Sequence, residues 1–273
     1  MSSQYYTASE ARAKLGLSKS MFFRKVKEGF IPKVVLPGMT HGIYPKRDIN
    51  ALALSITSKI EDYVFSRSTP ADQVEEMNIG IGCFGREFII PLAERIAFQQ
   101  KCDFTFHSLK VHSKVVGYVS MFRFPSGFLD DLLSGHRIEA EISVKEVQPF
   151  ARLVAFNIYI DVIATDCTLP LHLRRLYGGI IVFHFIDVIH NLLANDYQIT
   201  HIYTVTTTAE GQHLAEKIGF RQMKGKSIVP GRIAYEYPLD DEGIQRLQVL
   251  QQRFRRHLLF YVQTRAAFSS KKR

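Results

Sequence analysis

The segment PLHLRRLYGGIIVFHFIDVIHNLL, residues 170–193, constrains the fold most, because long apolar stretches flank it on both sides. RLVAFNIYIDVIAT (152–165) precedes it and ITHIYTVTTT (199–208) follows, both rich in the β-branched and aromatic residues that suit strands. The run from Gly178 to Leu193 is broken by His184, Asp187 and His190, and it is too short to predict a transmembrane span. It predicts a helix buried in a core. The pair Arg174 and Arg175, followed by Gly178 and Gly179, predicts a loop at the head of that helix. Free N–H groups and the helix dipole favour phosphate at such a place.

The rest of the C-terminal two thirds continues the alternation. REFIIPLAERIAFQQ (86–100) predicts a helix, DFTFHSLKVHS and KVVGYVSMFRFP (103–125) two strands, and SGFLDDLLSGH (126–136) a short helix. A mixed segment leads into the 152–165 strand. After the 199–208 strand come the helix AEGQHLAEKIG (209–219) and a strand–turn–strand over 220–239. A basic helix from Asp241 to about Thr264 closes the chain. This order predicts an α/β (α+β) sandwich around a mixed central sheet.

A chain of 273 residues, 46% hydrophobic and 22% charged, has room for one large domain or two ordinary ones. Its opening, MSSQYYTASEARAKLG, has no apolar signal region. Cys83, Cys102 and Cys167 are far apart and form no CxxC, which predicts reduced thiols and a cytoplasmic protein. In HFIDVIH the His184, Asp187 and His190 side chains spread around a helix, and no HExxH or GxSxG occurs, so no metal is expected. The net charge of +9 is concentrated at the ends: residues 1–70 carry +6, residues 250–273 carry +7, and the middle carries −4. Basic ends of this kind suit a partner such as nucleic acid.

The first seventy residues predict two short helices joined by a tight turn. Thr7 is a helix cap with Glu10 three residues on, and Gly16 ends that helix. Ser18 caps the second, which runs to about Glu28 with Met21, Phe22, Val26 and Phe30 on its buried side. Phe22 and Phe23 are expected in the core. Lys33–Leu36 and Gly42–Tyr44 predict a small hairpin, and Pro45 the first turn of a third helix with Ile49, Leu52, Ala53 and Ile56 on one side. Two helices with a basic second member are the arrangement that enters a DNA major groove. Ser18, Lys19, Ser20, Arg24 and Lys25, with Lys46 and Arg47 at the third helix, are the candidate DNA contacts.

YTASEARAKLGLSKSMFFRKVKEGFIP…GIYPKRDINAL, about residues 5–55, resembles the winged helix-turn-helix of the MerR and excisionase type. The resemblance implies a domain over 1–66 that binds double-stranded DNA, usually as a dimer. A join over 67–85 is expected to follow. Residues 86–240 resemble the GNAT N-acetyltransferase family, most clearly in THIYTVTTTAEGQHLAEKIGFRQM with its Gly219-Phe220, and in KVVGYVSM. Residues 241–273 remain as a basic C-terminal helix and tail.

The GNAT resemblance implies acetyl-CoA as acyl donor and an amine, small molecule or protein, as acceptor. The family's cofactor loop corresponds to Arg175-Leu176-Tyr177-Gly178-Gly179-Ile180, which keeps the Arg and the first Gly and has Ile180 at the last place. Arg174 stands beside it. Val162 and Ile163 supply the backbone N–H groups that polarise the thioester carbonyl if the family geometry is kept. Asp161 and Asp166 lie where the family often has its base, and Asp161, inside an apolar strand, has a raised pKa if it is buried. The family's acid, a Tyr four residues before the Gly-Phe pair, is Ala215 here, leaving His213 and Tyr203 as the nearby candidates. The expected function is a DNA-binding regulator whose second domain binds acetyl-CoA and acetylates an amine. The alternative is a catalytically silent domain serving as ligand sensor or dimerisation unit.

Overall fold

The computed structural model describes residues 4–38, 41–57 and 63–254. The basic tail from 255 onward and the end of the predicted C-terminal helix lie outside the described residues. The described chain falls into two compact units. One holds the residues up to 57 together with Pro170–Leu176, and the other holds 63–169 and 177–254.

In the first unit, β1 (Tyr5–Tyr6) leads into α1 (Ala8–Leu15). The predicted capping box forms: the Thr7 N–H donates to Glu10 Oε2 at 2.8 Å, and the Glu10 N–H donates to Thr7 Oγ1 at 3.3 Å. Gly16 ends the helix in the left-handed region, φ 62°. Ser18 caps α2 (Lys19–Lys27) by accepting the Met21 N–H. The predicted hairpin is reduced to one antiparallel bridge, Val34 with Ile43. Tyr44 and Pro45 instead form β2, paired with β1, so α3 (Lys46–Thr57) begins one residue after the proline. Ala11, Leu15, Phe22, Phe30, Ile31, Tyr44 and Ile49 are the buried centre of this unit. Phe23, expected in the core, is 45% exposed, while Phe22 is fully buried.

The second unit is built on a seven-stranded sheet. Its elements are β3 (Tyr63–Arg67), α4 (Pro70–Phe84), α5 (Leu92–Lys101), β4 (Phe106–Val111), β5 (Lys114–Phe122), α6 (Ser126–Ser134) and β6 (Ala155–Thr165). Then follow α7 (Leu171–Ala194), β7 (Gln198–Thr206), α8 (Ala209–Ile218), β8 (Arg221–Gln222), β9 (Ile233–Pro238) and a helix over 241–254, α9. The strand order is β3-β4-β5-β6-β7-β9-β8. Every neighbouring pair is antiparallel except β6 and β7, which run parallel and are connected through α7. The mixed sheet is the one expected.

Two expectations fail here. Residues 67–85, read as a join, are the last residue of an edge strand and a capped helix: β3 pairs with β4 along its whole length, and Thr69 caps α4 through a box with Asp72. The polar composition that suggested a linker belongs to α4 residues that are in fact buried, Asp72, Gln73 and Glu76. The second failure is the loop over 174–180. α7 starts at Leu171, after Pro170, whose carbonyl accepts the N–H groups of Leu173 and Arg174. Residues 174–180 therefore belong to its first three turns. The resulting helix of 24 residues is long and apolar enough to cross a bilayer by composition, but half of its most apolar window is buried inside the protein. Its inward side chains, among them Ile181, lie over β5 at Gly117.

Candidate active site

The centre of interest is a defect in β6. Opposite β5, Ser120 faces Val162 and Met121 faces Ile160, so Asp161 is one extra residue, a β-bulge. The core demands it. Tyr159 packs with Phe98 of α5 and Phe122, while Val162 and Ala164 lie with Tyr118 and with Ile79 of α4. Side chains in a strand alternate between faces, so 159 and 162 can share a face only if one residue between them is supernumerary. Asp161 is that residue, and its carboxylate turns to the same side.

The bulge also marks where β6 and β7 stop pairing. Their last matched residues are Ile160 and Thr204, although β6 continues to Thr165. From Asp161 onward β6 has no β7 partner among the described residues.

A row of polar groups runs under α4 and α5 along this face. Ser120, with no exposed surface, donates its hydroxyl proton to Asp161 Oδ2 at 2.9 Å and accepts the Val162 N–H at 3.2 Å. On one side Glu76 and Arg95 form a buried ion pair at 2.6 Å, with Ser68 and Ser108 also donating to the Glu76 carboxylate. The Arg95 guanidinium stacks over Phe106 and Tyr118. On the other side Arg232 holds Glu139 through two bonds of 2.9 and 2.8 Å, and the Tyr159 hydroxyl donates to the same carboxylate. Burial pushes Asp161 up to about 7, helped by the negative Glu139 and opposed by the Ser120 hydrogen bond, Arg95 and Arg232. Burial likewise raises Glu76, against the pull of Arg95. The Tyr118 and Tyr159 phenols are held neutral well above neutral pH, mainly by burial.

The predicted site residues fare unequally. Asp161 stands as anticipated in an apolar strand with a raised pKa. Tyr203 lies opposite Tyr159 across the parallel pair and packs against the same core. His213 is exposed on α8. Asp166 lies beyond β6 and caps its own turn, accepting from Thr168. The Val162 N–H, expected to meet a thioester carbonyl, is occupied by Ser120.

The residues read as a phosphate loop are not brought together as one. Arg174, Arg175 and Leu176 belong to the first unit, and Tyr177–Ile180 to the second. Their N–H groups sit inside α7, where each bonds to the carbonyl four residues earlier. Ile180 points into the core with no exposed surface, so it is a packing residue and not an obstacle to a phosphate. Arg175 lies 4.0 Å from Asp48 within the first unit. Among the candidate DNA contacts, Ser18, Lys19 and Ser20 are exposed at the start of α2, and the Arg24 side chain is 60% exposed. Lys25 is turned inward, paired with Glu28 at 2.7 Å and lying over Phe30. Lys46 lies over Tyr6, and Arg47 is exposed.

Ser120, Glu139, Arg232, Glu76 and Arg95 escaped the sequence reading. The signal was present for two of them: Ser120 interrupts the apolar KVVGYVSMF strand, and Arg95 stands on the apolar side of its helix.

No family model and no curated protein matches the sequence. Solved structures similar to it include the NatC complex bound to Gag peptide and CoA, with 12% identity and a TM-score of 0.44 over 66% of this chain and 99% of that one. Ard1 from Thermoplasma volcanium has 12% identity and a TM-score of 0.41, covering 64% and 94%. A GNAT family acetyltransferase from Bacillus cereus has 11% identity and a TM-score of 0.37, covering 65% and 97%.

Proposed function

We propose that the second unit is an acyltransferase of the GNAT kind, acting on an amine beside Asp161. The observation that carries this reading is the bulge. It sets a carboxylate that titrates near 7 at the point where β6 loses its parallel partner. A base at that pKa can be ionised at neutral pH and still hold a proton taken from an ammonium group.

Acetyl-CoA is the donor that this reading calls for, supplying the acyl thioester. The residues present suit only one end of it. Beyond Ile160 the edge of β6 that faced β7 has no strand partner among the described residues, which leaves a place for the acyl and pantetheine portion. The expected pyrophosphate loop, residues 174–180, is helical. Asp161 takes a proton from the amine as its nitrogen bonds to the acyl carbon and the C–S bond breaks, releasing CoA as the thiolate, while Arg232 neutralises the neighbouring Glu139. In an assay of CoA release from acetyl-CoA with a panel of primary amines, Asp161→Asn should lose about 10²–10⁴-fold in rate. An unchanged rate would exclude the base role.

The helical course of 174–180 favours one alternative specifically: a domain that keeps the fold and senses a ligand or dimerises without transferring an acyl group. That reading predicts no CoA release with any amine.

For the first unit we propose binding of double-stranded DNA through the start of α2, supported by the exposed Ser18, Lys19, Ser20 and Arg24. Affinity should fall steeply with salt through counterion release. The pair Lys19→Ala and Arg24→Ala should weaken binding and flatten the salt slope, and an unaltered slope would count against this surface.

A further inference from the structure

The Ser120 hydroxyl bonds both the carboxylate of the extra residue and the backbone N–H of the residue that follows it. A serine hydroxyl has one proton to give and two lone pairs. Here the proton goes to Asp161 Oδ2 and one lone pair accepts from the Val162 N–H, the backbone group directly following the extra residue. Ser120 has no exposed surface, so neither bond competes with bulk water. Its neighbours in β5 fix it further. Tyr118 and Phe122, two residues away on either side, are fully buried on the same face.

We infer that Ser120 is a positioning residue for Asp161: one hydroxyl both aims the carboxylate and ties the bulge that carries it. The inference rests on the reading of Asp161 as a proton acceptor, and it goes beyond it. A carboxylate on a bulge could swing between rotamers, and a base must be held within hydrogen-bond reach of its substrate proton. Ser120 supplies that restraint from the adjacent strand. The same bond engages the Val162 N–H, so this donor serves the protein's own geometry before any ligand's.

A donor to the carboxylate favours its charged form. Removing the hydroxyl should therefore raise the Asp161 pKa further. The other groups around Asp161 stay in place: Glu139 from the turn after α6, Arg95 from α5, Arg232 ahead of β9, Tyr118 from β5, Tyr159 from β6, and Glu76 from α4 beyond Tyr118.

The decisive experiment is a ¹³C-carboxyl NMR titration of Asp161 in the full-length chain, which needs no turnover. Ser120→Ala should move its midpoint up by roughly half a unit to one unit. Ser120→Thr, which keeps the hydroxyl, should return it to the wild-type value. Should the alanine variant not fold, Ser120→Cys, close in size and a weaker donor, should move the midpoint in the same direction by less. In turnover, Ser120→Ala should lower kcat roughly tenfold or more with little change in KM for acetyl-CoA, and shift the acid limb of the pH profile upward. An unmoved midpoint in the alanine or cysteine variant overturns the positioning role, whatever the activity of Asp161→Asn. An Asp161→Asn variant with unchanged activity, the midpoint shift of the Ser120 variants being intact, overturns the base role of Asp161 and leaves the Ser120–Asp161 coupling standing.

Discussion

Asp161 is in tension with its surroundings, and that tension has a measurable sign. Its folded pKa of about 7 lies above the ordinary aspartate value of 3.8. As pH rises the unfolded chain releases this proton first. This group's contribution to the stability of the folded state is thus fullest below about pH 4, and it is lost progressively up to about pH 7. Asp161→Asn removes the ionisation. Thermal unfolding at pH 5 and pH 8.5 should show a smaller loss of Tm for the variant than for the wild type, with the variant the more stable at pH 8.5. The reverse order would mean that the carboxylate is stabilised when charged. A carboxylate inside IYIDVIA could be recognised in the sequence as a candidate for burial. Ser120, Glu139 and Arg232 could not be connected with it, because they come from three other segments and only the sheet register brings them close. His213 was chosen for its nearness along the chain to the expected acid, which does not fix the direction in which a helix residue points; it lies exposed on α8.

At the scale of elements, the sheet was legible because its strands are apolar and bounded by turns. The bulge was not, since one extra residue leaves no mark on a run that is apolar at nearly every position. α7 shows the converse difficulty. Gly178 and Gly179 suggested a loop, yet Pro170 sets the start of the helix at Leu171 and the glycines are carried in its body. There Gly179 lies against Phe254 of α9 and Gly178 near Thr165, with room for a Cβ at each. Gly117 of β5 is different. A Cβ there would stand 2.6 Å from the Ala164 carbonyl oxygen and 2.7 Å from Ile181. Gly117→Ala must therefore displace the backbone of β6 just beyond the bulge or push α7 outward. It should cost about 1–3 kcal/mol and lower Tm by several degrees in calorimetry. A neutral effect would show that α7 is not seated on β5 as closely as described.

For the molecule as a whole, the basic amino-terminal region and the apolar remainder were separable by composition, and the structure likewise gives two compact units. The boundary lies earlier than composition suggested. β3 and α4 carry enough charge to resemble a linker, but Asp72 is satisfied by Lys110 and Thr69, and Glu76 by Arg95 and two serines. Charges paired inside a fold and charges on a solvated link look alike in a sequence. At this scale a DNA-binding unit and an acyl-CoA unit are proposed to share one chain, and the residues expected to grip pyrophosphate are helical.

Thermal unfolding of the full-length protein across a titration of acetyl-CoA, with free adenosine diphosphate as control, therefore tests the central claim most directly. A ligand that binds only the folded state adds about 2.7 kcal/mol at a hundred times its Kd, which should raise Tm by ~5 °C or more. The account predicts a concentration-dependent rise with acetyl-CoA that exceeds the control. No rise at millimolar acetyl-CoA would contradict it.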